Sequence, residues 1–162
     1  MSLLPVIQWL NQTALATSIR ESDSVFPLIE TVHVLAITLL AGTVAAVDLR
    51  LLGVILKREK VSDVAGQVLP LTWAGFAVMM ITGLLLFASE AQKSYGNMAF
   101  RVKILLLILA GLNPLIFHST IFRSVRVWDD APVVPRGARA AAIASLTLWS
   151  GIIIAGRAIA YF

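Results

Sequence analysis

The sequence predicts an all-α protein: a four-helix transmembrane bundle running up-down-up-down, with a short N-terminal interfacial amphipathic helix. Three observations predict it. Of 162 residues, 59% are hydrophobic and 14% charged, whereas a soluble domain carries about a quarter charged residues. The apolar residues gather in four stretches, and crossing about 30 Å of hydrocarbon takes about 20 helical residues. Most charges fall in short polar linkers or near the ends of the apolar stretches. A soluble core of this size could not absorb so much apolar surface without exposing aggregating patches, so the lipid bilayer is the expected surroundings of a single integral domain.

The elements follow in order. Residues 3–19 place Leu3, Ile7, Leu10, Ala14 and Leu15 at helical spacing, with Gln8, Asn11, Gln12 and Ser18 between them; this predicts a helix lying on the membrane surface. Met1 to Leu4 carries no Lys or Arg and no continuous apolar run follows, so a cleavable leader is not expected. The first span is predicted over residues 27–56, with Pro27 in its first turn and Ser24 as the cap. The second, over residues 68–88, contains no charge. The third is predicted over residues 98–122. The fourth, over residues 138–162, is opened by the turn Asp129-Asp130-Ala131-Pro132 and by Pro135. Short linkers make neighbouring spans antiparallel.

The charge pattern orients the bundle and excludes some functions. A net charge of +4 raises the question of nucleic acid, but the cations flank apolar spans and form no basic face, so no nucleic-acid partner is expected. Lys57, Arg58, Lys60, Arg123, Arg126, Arg136 and Arg139 lie in or beside the first and third linkers, against Arg20, Lys93, Arg101, Lys103 and Arg157 toward the other side. The positive-inside rule then predicts a multi-pass protein of the cell inner membrane with both termini periplasmic. Cys is absent, which excludes disulfides, thiolate zinc, iron–sulfur clusters and covalent c-type haem. No Gly-rich phosphate loop, nucleophile elbow or zinc-hydrolase motif occurs.

Ionisable residues inside spans are costly and tend to face the bundle interior, so they are the first candidates for function. The first span carries Glu30, His33, Asp48 and Arg50, and the third carries Lys103 and His118. At about 100° per residue, Glu30 and Asp48 each fall about 60° from His33, and Lys103 and His118 stand at the same offset. Because the two spans run parallel, two polar layers about 22 Å apart are expected. The outer layer would hold Glu30, His33, Lys103, Arg157 and Glu90; the inner layer would hold Asp48, Arg50 and His118. His33 and His118 are then too far apart to clamp one iron. Each residue also has a plainer reading. Lys103, Arg101 and Arg157 can snorkel to headgroups, Asp48 and Arg50 can fix packing, and His118 can be a hydrogen-bonded interface histidine. His33, one turn after a carboxylate and deep in its span, is the residue for which function is favoured. Glu30-x-x-His33 has the spacing of carboxylate-bridged di-iron bundles, which need a second such pair and two further carboxylates. Met79 and Met80, Trp73, Trp149 and Tyr161 are expected to be packing or interface residues.

The stretch Phe26-Pro-Leu-Ile-Glu-Thr-Val-His33 with Gly42 and Asp48-Leu-Arg-Leu-Leu-Gly53, then Leu71-Thr-Trp-Ala-Gly-Phe76 with Gly83, and Phe100-Arg-Val-Lys103 with Asn113, resembles an uncharacterised bacterial family of four-helix integral membrane proteins. That resemblance implies a fold and no activity. More distantly, His33, Gly42 and Lys103 resemble positions of the copper-resistance D-type and J-type protoporphyrinogen oxidase membrane families. This second resemblance implies haem b, with His33 as axial ligand and Lys103 binding a carboxylate or propionate; no second axial ligand is found beside them, and the oxidase reaction is not carried over.

Two main readings stand. In the first, the chain binds b-type haem or another metal through His33, for electron transfer or redox chemistry, with Lys103 and Arg157 neutralising propionates and Glu30 nearby; His118 is a weaker metal candidate. In the second, it is a non-catalytic structural or accessory subunit, packed through Gly75, Gly83, Gly151 and Gly156 against other membrane subunits or as a homo-oligomer. A carrier is disfavoured because no duplicated half is visible.

Overall fold

A computed structural model describes residues 4–129 and 134–161, and no strand occurs among them. The helices are α1 (Leu4–Asn11), α2 (Ala14–Arg20), α3 (Val25–Leu51), α4 (Val61–Ser89), α5 (Ala91–Gly96), α6 (Met98–Thr120), α7 (Val125–Trp128) and α8 (Arg136–Ala158). Four stretches, Val25–Leu51, Val61–Ser89, Met98–Trp128 and Arg136–Ala158, are long and apolar enough to cross a membrane. Only 11% to 28% of their most apolar windows is buried inside the bundle. Most of the apolar surface therefore points outward, where hydrocarbon or another membrane protein can cover it.

Local chemistry moves several boundaries from their expected places. The helix expected to reach residue 56 stops at Leu51, because Gly53 adopts a left-handed conformation with φ 71°. The Gly53 amide donates to the Arg50 carbonyl (3.0 Å) and the Val54 amide to the Leu49 carbonyl (2.9 Å). That pair of bonds is the Schellman turn, which satisfies the last carbonyls of a helix and ends it. At the other end of α3, Ser24 makes no side-chain cap bond; the Ser22 hydroxyl accepts from the Val25 amide instead (3.1 Å).

Helix α4 starts at Val61, earlier than the uncharged segment alone suggests, and its cap comes from a distant part of the chain. The Asp129 carboxylate accepts from the amides of Val61 (2.7 Å) and Ser62 (3.3 Å), satisfying donors that a helix start leaves open. The predicted turn at Asp130, Ala131 and Pro132, and the ends at Met1, Leu3 and Phe162, lie outside the described residues.

The single N-terminal helix expected over residues 3–19 is two helices broken at Thr13. Its hydroxyl donates to the Leu10 carbonyl (2.9 Å) and accepts from the Ala16 amide (3.3 Å). Ile7, Ala16 and Ile19 are buried while Val6, Trp9 and Leu15 are exposed. α1 packs on α5, and α2 packs on α4 and α3. Arg20 fastens this pair to the bundle by donating to the Ser89 carbonyl at the end of α4 (2.9 Å).

The spans pack in antiparallel register. Gly75 of α4 approaches Ala36 and Leu40 of α3, and Gly83 approaches His33. Along α6 and α8, Lys103 meets Gly156, Leu106 meets Gly151 and Ile121 meets Gly137. α3 also runs beside α8, whereas α4 and α6 do not pack along their lengths; they touch through Phe87 and Phe100, stacked with ring centres 5.4 Å apart. One apolar cluster, Ala36, Leu40 and Met79 with Trp149 against it, fills the middle of the bundle. Another, including Leu51, Val61, Phe117 and Trp128, closes the end that carries the α3–α4 and α6–α8 linkers.

Candidate functional site

The close α3–α4 contact sets the geometry of His33. Without a side chain at Gly83 the two helices lie so near that an added Cβ would stand 3.0 Å from His33 Cε1. The adjacent Thr82 then meets the ring, with Oγ1 2.8 Å from Nδ1. The Thr82 hydroxyl donates to the Val78 carbonyl (2.6 Å), so its oxygen accepts and His33 Nδ1 carries the hydrogen. This bonding pattern leaves the Nε2 lone pair without a protein partner among the described residues. A ring oriented through one nitrogen with the other left open is how proteins present imidazole to a metal or a proton donor.

Lys103 completes the pair from α6. Its half-buried side chain lies along α8, with Nζ 3.6 Å from the position a Cβ on Gly156 would take. Its ammonium is within Coulombic range of the His33 ring. No hydrogen bond or ion pair joins Lys103 to another described residue, so this part of the bundle offers an imidazole lone pair and an uncompensated cation. An anionic group with a metal-binding or hydrogen-donating centre suits that combination.

The other members expected in the outer layer do not join them. Glu30 is exposed. Arg157 is exposed and its guanidinium sits 5.8 Å over the Tyr161 ring. Glu90 pairs with Lys93 at 3.5 Å. The inner layer separates into three environments. Asp48 is buried, with Ser145 of α8 as its polar neighbour and Oδ2 without a hydrogen-bond partner among the described residues. Arg50 is buried and donates through Nε to the Glu59 carbonyl (2.6 Å). His118 is exposed and bonds through Nδ1 to Pro114 of its own helix (2.9 Å). Asp48 and His118 stay apart because α3 packs on α4 and α8 and not on α6. Among the described residues no group of three or more His, Asp or Glu is placed to hold a metal ion, so the di-iron spacing finds no counterpart.

Sequence reasoning passed over Thr82, which orients His33, and Ser145, which faces Asp48. It also passed over Asn97, whose amide donates to the Ile159 carbonyl (3.3 Å). Each is a small polar residue in or beside an apolar span, and that coincidence was the signal available.

Fold and site together define a four-span helical membrane protein with a half-buried histidine and a half-buried lysine within Coulombic range of each other, in the half of the bundle nearer its N-terminal helices. Residues 8–162 match DUF6644, a family of unknown function, and the chain belongs to that family. No curated protein and no solved structure matches it. The family agrees with the resemblance to uncharacterised membrane proteins; no match extends to the copper-resistance or protoporphyrinogen oxidase families.

Proposed function

We propose that this is a membrane cofactor-binding protein in which His33 Nε2 ligates the iron of a b-type haem and the Lys103 ammonium meets a propionate. The supporting observation is the tautomer: Thr82 Oγ1, whose own hydrogen goes to the Val78 carbonyl, accepts the Nδ1 hydrogen and leaves the opposite nitrogen open. The donor set fits a group that needs one imidazole and one cation, since Lys103 pairs with no carboxylate among the described residues. Arg157, next to the Gly156 on which Lys103 rests, is a second cation of that end. His118 sits near the opposite end of α6, so this chain supplies one axial nitrogen. Bound haem would provide a one-electron couple whose potential follows ligand and burial. The positive-inside pattern supports an inner-membrane setting in which the site lies toward the periplasmic half and both termini are on that side.

The test is spectroscopic. Protein purified in detergent from haem-replete cells is expected to show a Soret band that His33→Ala abolishes or shifts and that His118→Ala leaves in place. Absence of any Soret band in the native protein refutes the proposal. A second reading, an accessory subunit without a cofactor, is favoured by the bareness of the third span, of whose apolar window only 11% is buried. Stoichiometric co-purification of another membrane protein, with no chromophore, would support it.

A further inference from the structure

The opposite end of the bundle carries a cavity of about 440 Å3 that the His33 site does not use. Its wall includes Arg50, Lys57 and Arg139 together with Trp128, Asp129 and Val134. The Schellman turn at Gly53 builds it by reversing the chain, so that the Glu59 carbonyl reaches back to Arg50 Nε. Arg50 is only 9% exposed. With Nε anchored, its guanidinium is fixed in place, and neither terminal nitrogen bonds to a described residue. Lys57 and Arg139 are exposed and make no ion pair with a described residue.

The carboxylate lining the cavity makes no ion pair with these cations. Asp129 is committed to capping α4 through the Val61 and Ser62 amides and the Ser62 hydroxyl. Three cations therefore line a cavity whose one lining carboxylate among the described residues is engaged elsewhere. Leu51, Leu52 and Val61 add apolar wall beside them. A buried guanidinium with free parallel donors matches phosphate oxygens in geometry and charge. Basic pockets between membrane helices bind anionic headgroups by the same chemistry.

We infer that this cavity is a binding site for a phosphate group, with Arg50 as the fixed anchor and Lys57 and Arg139 as flanking cations. A phospholipid headgroup and a soluble phosphate share this chemistry, and the experiment separates them. Native mass spectrometry of the detergent-purified protein measures retention of phosphatidylglycerol against phosphatidylcholine, and thermal shift measures the response to inorganic phosphate against chloride at equal ionic strength. Selective retention of phosphatidylglycerol assigns the lipid, whereas a phosphate-specific thermal shift without lipid selectivity assigns the soluble anion.

In either case Lys57→Gln and Arg139→Gln, both at exposed positions, are expected to weaken binding severalfold, and Arg50→Gln by about tenfold or more. Arg123→Gln and Arg126→Gln, basic residues of the same end outside the cavity, leave it unchanged. If neither probe binds selectively, or if Lys57→Gln and Arg139→Gln bind as the native protein does, the inference is wrong, whether or not Arg50→Gln folds. The His33 site is untouched by these variants, so the outcome is independent of the haem proposal.

Discussion

Replacing Gly83 with alanine tests the placement of His33 directly. The new methyl would stand 3.0 Å from His33 Cε1 and 3.7 Å from Nδ1, so the ring must retreat by a few tenths of an ångström and pull against its 2.8 Å bond to Thr82. Losing such a bond costs about 0.5–1.5 kcal/mol. Alanine in a helix interior is favoured over glycine by about 1 kcal/mol, so Gly83→Ala alone should change stability little. In a His33→Ala background the steric conflict is gone and the same substitution should stabilise by about 1 kcal/mol. The quantity to measure is the coupling in the double-mutant cycle, expected at about 1 kcal/mol, by reversible unfolding in mixed micelles. Helix propensity cancels in the cycle. A coupling within about 0.3 kcal/mol of zero would mean that the ring does not lie over Gly83, and the site geometry would fall with it.

Two further substitutions probe the frame around the site. Gly75→Val should destabilise the bundle by about 1–3 kcal/mol, because a Cβ there already meets the Leu40 amide nitrogen at 3.2 Å and the Ala36 carbonyl oxygen at 3.3 Å, and backbone cannot step aside without parting α3 from α4; a thermal midpoint equal to the native one contradicts this. Asp129→Ala removes the cap of α4 and should cost about 1–2 kcal/mol, with faster amide exchange at Val61 and Ser62; exchange there unchanged from native would show that the cap does not hold the helix start.

The four spans were legible because lipid-facing helices advertise themselves in every residue. Their ends were less so. Val54, Ile55 and Leu56 keep the sequence apolar past Gly53, and hydropathy cannot see that a left-handed glycine has already released the chain. Ser62, Asp63 and Gln67 make the first turns of α4 look like linker, although Asp129, far away in sequence, holds them helical. At the site, counting residues along parallel helices put His33 and Lys103 in one layer, and the two lie within Coulombic range of each other although their helices do not pack together. The same counting paired Asp48 with His118 and failed, since angular position on a helix says nothing about which neighbour stands opposite. Thr82 was hidden for another reason. A threonine in an apolar helix ordinarily bonds back to its own carbonyl, as Thr82 does to Val78, and only the adjoining helix reveals that its oxygen also serves His33.

The uneven closure of the bundle gives the molecule a grain. α3 with α4 and α6 with α8 are two hairpins bound along a common spine where α3 meets α8, like the boards of a book, and the fore-edge between α4 and α6 is clasped by the Phe87–Phe100 pair. An aromatic pair adds about 0.5–1.5 kcal/mol beyond the area it buries, so parting that edge is a small event beside separating the spine. The edge that parts most easily is therefore the one that opens sideways, in the plane of the membrane.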